Sequence, residues 1–287
     1  MAEPELQPYL EAWQLSKPQL LTQTLTSRIY TVDANGETAI LKLLAAAETE
    51  EQRGAVALRH FAGHGAVRLL RHSADAQLLE YAAGAELVTL VERGEDEPAT
   101  RIIAQVLEQL HSVPQLPSPE GLVTLEHWFG ALFDKAAADR RAGDASLYTR
   151  GAALAERLLA EPREVCVLHG DIHHRNIRQS ARGWLSFDPK GLLGERTYDC
   201  ANTLCNPVKP ELVHNETRLL AQATILADAL VLDLWRVLAF TCAYACLNAS
   251  WWSRPAGSAA TGAAYAAEIV QWHLKVAELA EHALGQV

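Results

Sequence analysis

Residues 169–176 contain a carboxylate, a side-chain amide and three histidines within eight positions. Asp171 follows His169 by two positions, Asn176 comes five positions later, and Asp188 closes an apolar run twelve positions beyond that. Transfer of a phosphoryl group needs a carboxylate at the acceptor hydroxyl and oxygen ligands that hold Mg²⁺ against the phosphates. We therefore predict that Asp171 faces the acceptor and that Asn176 and Asp188 are the Mg²⁺ ligands.

A phosphate-clamping lysine is the next part that this chemistry requires. Lys42 ends the apolar run 39–42, where a buried amine is unfavourable unless it has a partner. In protein kinases, whose catalytic segment has the same spacing of His, Asp and Asn, the corresponding strand lysine pairs with a glutamate of the following helix. Glu51 is the candidate partner here, and Glu48 and Glu50 remain alternatives.

The nucleotide contacts are less distinct in the sequence. No Walker A motif and no glycine-rich phosphate loop occurs, so the hydroxyl and N–H groups of residues 24–27, including Ser27, would bind the phosphates. Residues 78–82 are predicted to connect two lobes, where the exposed backbone of Glu80, Tyr81 and Ala82 could hydrogen-bond adenine. The predicted cofactors are therefore ATP and Mg²⁺.

Each of these features also has an ordinary interpretation. A single strand lysine is usually solvated, glutamates at a helix start commonly complement the helix dipole, and Asp188 with Pro189 could simply begin a loop. His169, His173 and His174 could suggest zinc, but the adjacent His173 and His174 project differently and no further ligand stands at a metalloenzyme spacing. We prefer the catalytic interpretation because the features occur together in the required order.

The predicted secondary structure around these residues consists of a β-rich first part of the chain and a helical second part. Asn35 and Gly36 lie between the apolar runs 28–32 and 38–44, which is a strong signal for a β-hairpin. Further strands are predicted at 66–70, 77–81, 165–168 and 183–187, and helices at 48–61, 98–111, 125–141, 146–159, 209–228, 230–249 and 260–284. This order predicts an α+β, two-lobed protein-kinase-like fold, with a nucleotide-binding lobe at 1–81 and a larger helical lobe at 82–287.

The composition argues against several classes of protein. The 287 residues carry a net charge of −10, and because phosphate contacts need clustered Lys and Arg, we expect no nucleic-acid partner. The apolar segment 231–252 is interrupted by Asp233, Arg236 and Asn248, so it is predicted to be a buried helix and not a membrane span. Five cysteines without a Cys-x-x-Cys pair, and an N-terminus without an apolar signal segment, favour a cytoplasmic protein. No long heptad pattern occurs, and we expect a monomer.

Several segments resemble the aminoglycoside phosphotransferases, in particular the branch of streptomycin 6-kinase and hydroxyurea phosphotransferase. The similar segments are residues 51–54, 63–70, 78–81, 168–177, 180–185 and 188–195, so the resemblance covers nearly the whole chain. It implies that Asp171 is the catalytic base, that Asn176 and Asp188 bind Mg²⁺, and that Lys42 and Glu51 clamp the phosphates.

The resemblance also bears on two further residues. It implies that Asp199 braces the catalytic loop. Arg175 departs from the family's pattern, since a small or acidic residue is usual at this position. Its charge would either aid anion binding or point to solvent.

The activity that the resemblance implies is transfer of the γ-phosphoryl group of ATP to a hydroxyl of a streptomycin-like aminoglycoside, with inactivation of the antibiotic. The acidic charge of the chain suits such a polycation, and Asp134 and Asp139 are candidate acids on the acceptor side. One alternative is the same chemistry on a sugar, an amino sugar or another metabolite. A second is a nucleotide-binding pseudokinase, which the joint presence of Lys42, Asp171, Asn176 and Asp188 disfavours.

Overall fold

A five-stranded antiparallel sheet forms the first part of the chain in the computed structural model, which describes residues 5–24, 26–45, 49–114, 118–253 and 260–287. The elements of this part are α1 (Gln7–Trp13), β1 (Leu15–Gln23), β2 (Ser27–Ala34), β3 (Glu37–Leu44), α2 (Thr49–Phe61), β4 (Leu69–His72) and β5 (Ala76–Glu80). The strands of the sheet stand in the order β1-β2-β3-β5-β4.

The predicted hairpin is present as β2 and β3. Asn35 and Gly36 both have positive φ angles, 57° and 88°, and the Asp33 carboxylate accepts a hydrogen bond from the Gly36 N–H at 2.8 Å. The sequence did not predict β1, because only its first residue is buried and it carries no alternation of apolar side chains. It also did not predict the short helix α1.

The strand predicted at 66–70 begins later in the structure, at Leu69. Ala66 and Val67 are buried, but they pair with the second part of the chain: Ala66 bridges to Ser186, and the Val67 N–H donates to the Ser186 carbonyl at 2.9 Å. Apolar character at these two positions therefore reflects packing between the two parts of the molecule.

Helices dominate the second part, and a small sheet lies among them. The elements are α3 (Val88–Glu92), α4 (Asp96–His111), β6 (Val123–Thr124), α5 (Leu125–Trp128), α6 (Gly130–Arg141), α7 (Leu147–Ala160), β7 (Val165–Leu168), β8 (Ile177–Ser180), β9 (Gly183–Ser186), β10 (Leu192–Glu195), a 3₁₀ helix (Arg196–Cys200), α8 (Ala201–Leu204), α9 (Pro210–Val213), α10 (Glu216–Leu230), α11 (Leu234–Trp252) and α12 (Ala260–Leu284). Strands β6, β10 and β7 form one sheet, and β8 pairs with β9 as a hairpin.

Two of the predicted helices are each divided in the structure. The segment 125–141 forms α5 and α6, which meet at Phe129, where the buried ring packs edge-on against Tyr198 at 5.8 Å between ring centroids. The segment 209–228 forms α9 and α10, and Asn215 caps α10 by accepting a hydrogen bond from the Arg218 N–H at 3.1 Å. Hydrophobic periodicity continues across both breaks, so it could not reveal them.

Helix α11 lies at the centre of the main core. Most of its residues are buried, as the sequence predicted for this segment. Arg236, which interrupts its apolar character, pairs with the buried Glu195 of β10, with Nε and Oε1 2.7 Å apart. Among the described residues, no helix combines the length and the apolar character that crossing a membrane would require.

Two glycines allow α2 to lie directly against the loop that follows β9. A Cβ atom at Gly54 would stand 2.4 Å from the Pro189 carbonyl oxygen, and one at Gly191 would stand 2.4 Å from the Arg53 carbonyl oxygen. Gly191 also has a φ of 67°, which favours glycine. This close contact brings the acidic start of α2 next to Asp188 and the residues after it.

We expect Gly54→Ala to destabilise the fold by about 1–3 kcal/mol, because the added methyl group would force α2 away from Pro189. Gly262→Ala is a matched control, since a Cβ atom at Gly262 in α12 meets nothing within 4 Å. The control should raise stability by roughly 0.5–1 kcal/mol through helix propensity. Urea unfolding of both variants measures the difference, and equal stability of the two would contradict a tight contact at Gly54.

Candidate active site

An ion cluster around the buried Lys42 joins the two parts of the molecule. Lys42 of β3 places its Nζ 2.6 Å from Oε2 of Glu51 in α2 and 2.6 Å from Oδ1 of Asp188, which follows β9. The lysine side chain is 8% exposed, and a charge so buried requires such partners. Burial lowers the pKa of Lys42, but the charges of Asp188 and Glu51 outweigh it and raise the pKa, so the amine stays protonated.

Asp188 is held in an unusual backbone conformation. Its φ is 64°, in the left-handed region that non-glycine residues rarely adopt, and such strain concentrates at functional sites. Burial raises the pKa of this carboxyl, but the charge of Lys42 and its hydrogen bond outweigh burial and hold the pKa below its usual value. Asp188 is therefore an anion near neutral pH.

The Asp171 carboxylate is oriented by two amides. Asn202 Nδ2 donates to Oδ1 of Asp171 at 2.6 Å, and Asn176 Nδ2 donates to Oδ2 at 3.3 Å and to the Asp171 carbonyl at 3.0 Å. Asn202 belongs to α8, a four-residue helix that the sequence did not predict, and no motif had marked this residue.

Asp199 supports the backbone of the catalytic loop, residues 169–176, as the resemblance implied. Its carboxylate accepts hydrogen bonds from the N–H groups of His169 at 3.0 Å and Gly170 at 2.7 Å, and His111 Nε2 lies 2.9 Å away. The His169 ring contacts the Phe187 carbonyl at 3.1 Å, and burial lowers the pKa of His169 to about 4, so the ring is neutral. These contacts position the backbone just before Asp171.

Lys190 stands between the start of α2 and the catalytic loop. Its Nζ is 2.5 Å from Oε1 of Glu50 and 3.9 Å from Oδ2 of Asp171. Burial, the largest influence, raises the pKa of Asp171 to about 7; the charge of Lys190 opposes this, and those of Asp188 and Glu50 add to it. Of the three glutamates considered as partners of Lys42, Glu51 makes the contact and Glu50 pairs with Lys190 instead, while Glu48 lies outside the described residues.

The side chains of Asn176 and Asp188 suit a Mg²⁺ ion. Both Asn176 Nδ2 hydrogen bonds go to Asp171, so its amide oxygen faces away from that residue. The Phe187 N–H donates to the Asn176 carbonyl at 3.0 Å, which holds Asn176 beside the residue that precedes Asp188. A carboxylate and an amide oxygen are ligands that Mg²⁺ prefers. The described residues contain no cluster of three or more His, Cys, Asp or Glu side chains placed to hold a metal ion.

A cavity of about 620 Å³ adjoins the ion cluster. The described residues that were predicted to contact a nucleotide line it together with Asp188, namely Thr24, Thr26, Ser27, Lys42, Glu51, Glu80, Tyr81 and Ala82, while Leu25 lies outside the described residues. Thr24 closes the turn before β2: its Oγ1 is 3.1 Å from the Ser27 hydroxyl and accepts from the Ser27 N–H at 3.0 Å. The Glu80 carboxylate, however, is held by Arg182 at 2.6 and 2.9 Å, so only the backbone of Glu80 is suited to contact a nucleotide.

A second cavity, of about 830 Å³, is lined by Asp171. Its lining combines carboxylates with aromatic rings: Glu50, Glu126, Asp134, Asp171, Trp128, Tyr244 and Trp251. The two indole rings meet edge to face, 5.0 Å apart, and Trp128 Nε1 donates to the Tyr198 hydroxyl at 2.7 Å. Apart from Asp171, the acids and rings come from α2, α5, α6 and α11, so their meeting depends on the tertiary fold.

The structure distinguishes the surroundings of three residues whose roles the sequence had left open, Asp134, Asp139 and Arg175. Asp134 lines the second cavity, but Asp139 pairs with Lys135 and accepts a hydrogen bond from Ser146, away from it. Arg175 is 60% exposed and lies 3.6 Å from Glu86, a residue that lines the first cavity.

Comparison with known proteins shows the family of this chain. The chain is 36% identical over 248 residues to streptomycin 3''-kinase of Klebsiella pneumoniae, covering 84% of this chain and 90% of that protein. It is 32% identical over 227 residues to streptomycin 6-kinase of Streptomyces griseus, covering 76% of this chain and 72% of that protein. A thermostable mutant of aminoglycoside phosphotransferase APH(4)-Ia, crystallised with AMP-PNP and hygromycin B, shares the fold with a TM-score of 0.64 at 15% identity, covering 98% of both chains. Residues 12–256 match the family described as aminoglycoside/hydroxyurea antibiotic resistance kinase, and the chain belongs to that family.

Proposed function

We propose that this chain transfers the γ-phosphoryl group of ATP to a hydroxyl of a streptomycin-like aminoglycoside and so inactivates the antibiotic. The observation that carries the proposal is the arrangement of the two cavities, since Asp188 and Lys42 line one and Asp171 lines the other. The relatives named for streptomycin support this choice of acceptor. Residues 1–81 would form the nucleotide-binding lobe and residues 82–287 the lobe that binds the acceptor.

In this mechanism the acceptor hydroxyl lies against Asp171, and its oxygen attacks the γ-phosphorus in line with the leaving oxygen of ADP. The bond between the γ-phosphorus and that oxygen breaks as the new bond forms, and Asp171 takes the hydroxyl proton. Lys42, held by Glu51, contacts the phosphates of the nucleotide. Mg²⁺, held by Asn176 and Asp188, would supply charge neutralisation at the phosphates.

The lining of the second cavity supports a cationic acceptor. Glu126 and Asp134 are suited to ammonium or guanidinium groups, and the faces of Trp128 and Trp251 attract cations. The net charge of −10 would also raise the local concentration of a polycation. With so acidic a surface we expect no nucleic-acid partner, and we expect the enzyme to act as a cytoplasmic monomer without a membrane partner.

A screen for acceptor-dependent release of ADP tests the function. The full chain is incubated with Mg-ATP and, in separate reactions, with streptomycin, hygromycin B, kanamycin, hydroxyurea, glucosamine and choline. We expect the highest kcat/KM with streptomycin, and phosphorus NMR of the product then identifies the phosphorylated hydroxyl. Turnover of glucosamine without turnover of streptomycin would show that the acceptor is a metabolite, and an absence of both turnover and Mg-ATP binding would overturn the kinase assignment.

The pH dependence of this reaction is expected to follow Asp171. Only the ionised carboxylate accepts a proton, and its pKa of about 7 means that the inactive protonated form predominates at lower pH. We expect kcat/KM for the acceptor to fall about tenfold per pH unit below this pKa and to level off above it. Because Lys190 lowers the pKa of Asp171, Lys190→Met should shift the falling limb to higher pH. A profile that stays flat from pH 5.5 to 8 would contradict this role of Asp171.

A further inference from the structure

Arg53 is a cation without a role in the site described above. It belongs to α2, stands next to Gly54 and lines the cavity of about 830 Å³ that adjoins Asp171, which we call the acceptor cavity. Its Nε is buried without a hydrogen-bond partner, and no carboxylate of the described residues lies within 4.0 Å of its guanidinium nitrogens. Leaving a half-buried guanidinium at a cavity wall without an acceptor is unfavourable, which points to an anion that enters the cavity and binds this group during the reaction.

Lys190 brings a second positive charge to the same cavity. It lines the cavity beside Asp171, and its amine is shared between Glu50 and Asp171, at 2.5 and 3.9 Å. The contact with Asp171 is longer than a hydrogen bond. The amine therefore has capacity for another acceptor on the side of Asp171.

The packing of two glycines places these cations at one wall of the cavity. Gly54 follows Arg53, Gly191 follows Lys190, and each glycine contacts a backbone carbonyl of the opposite segment. Arg53 and Lys190 therefore extend from two segments in direct contact. Both line the acceptor cavity, whereas Lys42 lines the cavity of about 620 Å³, which we call the nucleotide cavity.

The anion that meets both cations is identified by the chemistry of the site. A cationic acceptor would pair with the carboxylates of this cavity and would be repelled by Arg53 and Lys190. The transferred phosphoryl group, in contrast, carries negative charge on its non-bridging oxygens as it passes from ADP to the hydroxyl next to Asp171. Guanidinium and ammonium groups are the usual protein ligands for such oxygens.

We propose that Arg53 and Lys190 bind the non-bridging oxygens of the phosphoryl group during transfer and hold the new phosphate ester until release. This inference rests on the proposed phosphotransferase activity but not on the identity of the acceptor. The bond between the γ-phosphorus and ADP breaks, the bond to the acceptor oxygen forms, and the acceptor proton goes to Asp171, so both cations keep their protons throughout. Arg53 and Lys190 are then catalytic residues on the acceptor side.

Binding of Mg-ADP with aluminium fluoride, a planar mimic of the phosphoryl group, tests this proposal without any acceptor. In the wild-type chain we expect aluminium fluoride to lower the Kd of Mg-ADP roughly 10²-fold, since transition-state analogues bind that much tighter or more. In Arg53→Met and in Lys190→Met, this gain in affinity from aluminium fluoride should be at least about tenfold smaller than in the wild type. The Kd of Mg-ADP alone should stay within about twofold of the wild-type value. Arg53→Lys should recover part of the gain. Arg101→Met, which removes an exposed cation of α4, should behave as wild type.

The outcomes separate this inference from the proposed function. A wild-type chain that phosphorylates streptomycin, with Met variants that keep the full gain from aluminium fluoride, would overturn the inference alone. Loss of the gain in the variants, together with a wild-type chain that phosphorylates only another acceptor, would support the inference and correct the substrate. A purely structural role would lower the Tm of the Met variants and weaken Mg-ADP binding equally with and without aluminium fluoride, and that result would also overturn it.

Discussion

Asp171→Asn is expected to lower kcat by roughly 10²- to 10⁴-fold, the range that a general base contributes. The substitution preserves the shape of the side chain, and its amide oxygen can still accept a hydrogen bond from Asn202 or Asn176. It removes the group that takes the acceptor proton. Because Asp171 lines the acceptor cavity and not the nucleotide cavity, the affinity for Mg-ATP should change by less than about twofold.

Steady-state kinetics and calorimetric titration with Mg-AMP-PNP measure these two quantities. Asp144→Asn is the matched control, since Asp144 is exposed in the turn between α6 and α7 and should leave both quantities unchanged. Turnover within tenfold of the wild-type value would show that Asp171 is not the base. Weakened nucleotide binding at normal Tm would instead place Asp171 in contact with the nucleotide.

The second large effect is expected from Asp188→Asn, which should abolish the gain in nucleotide affinity that Mg²⁺ provides. Loss of an outer-shell partner of a metal commonly costs about 10- to 100-fold in affinity, and loss of a direct ligand should cost at least as much. The substitution also removes one of the two carboxylates that neutralise the buried Lys42. We therefore expect kcat to fall roughly 10³-fold or more, since both the metal and the lysine lose their position.

Glu51→Gln provides the comparison that isolates the metal. It removes the other carboxylate partner of Lys42 and leaves Asn176 and Asp188 intact. The Kd of AMP-PNP is measured with Mg²⁺ and with EDTA for wild type and both variants. We expect the ratio of the two constants to approach one in Asp188→Asn and to stay near the wild-type ratio in Glu51→Gln. The same ratio in both variants would argue that Asp188 acts through Lys42 and not as a metal ligand.

Much of the candidate site is recognisable in the sequence because its chemistry lies in short segments. Asp171 and Asn176 share one loop, and Asp188 follows at the end of the next hairpin, so their spacing is constrained by the local backbone. The β2–β3 hairpin is similarly local, because Asn35 and Gly36 adopt the positive φ angles that the turn requires. The edge strand β1 is different: its side chains are mostly exposed, and its pairing with β2 leaves no apolar pattern.

The choice between neighbouring residues is less accessible to sequence reasoning. Glu51 was the predicted partner of Lys42 and Glu50 an alternative of the same residue type, but consecutive residues on a helix point about 100° apart. Which of them faces Lys42 depends on how α2 is rotated against the loop after β9. Gly54 and Gly191 set that contact, with the result that Glu51 meets Lys42 and Glu50 meets Lys190.

The class of reaction and the two-lobed fold are predictable from the sequence, because the catalytic loop, the strand lysine and the hairpin are each formed by residues close together in the chain. The surroundings of Asp171, in contrast, depend on tertiary packing. Asn202, Lys190 and Arg53 come from three separate segments, and the acids and indoles of the acceptor cavity come from four helices. Such residues meet only through packing over long sequence separations. No local sequence pattern indicates which side chains of a folded core line the same cavity.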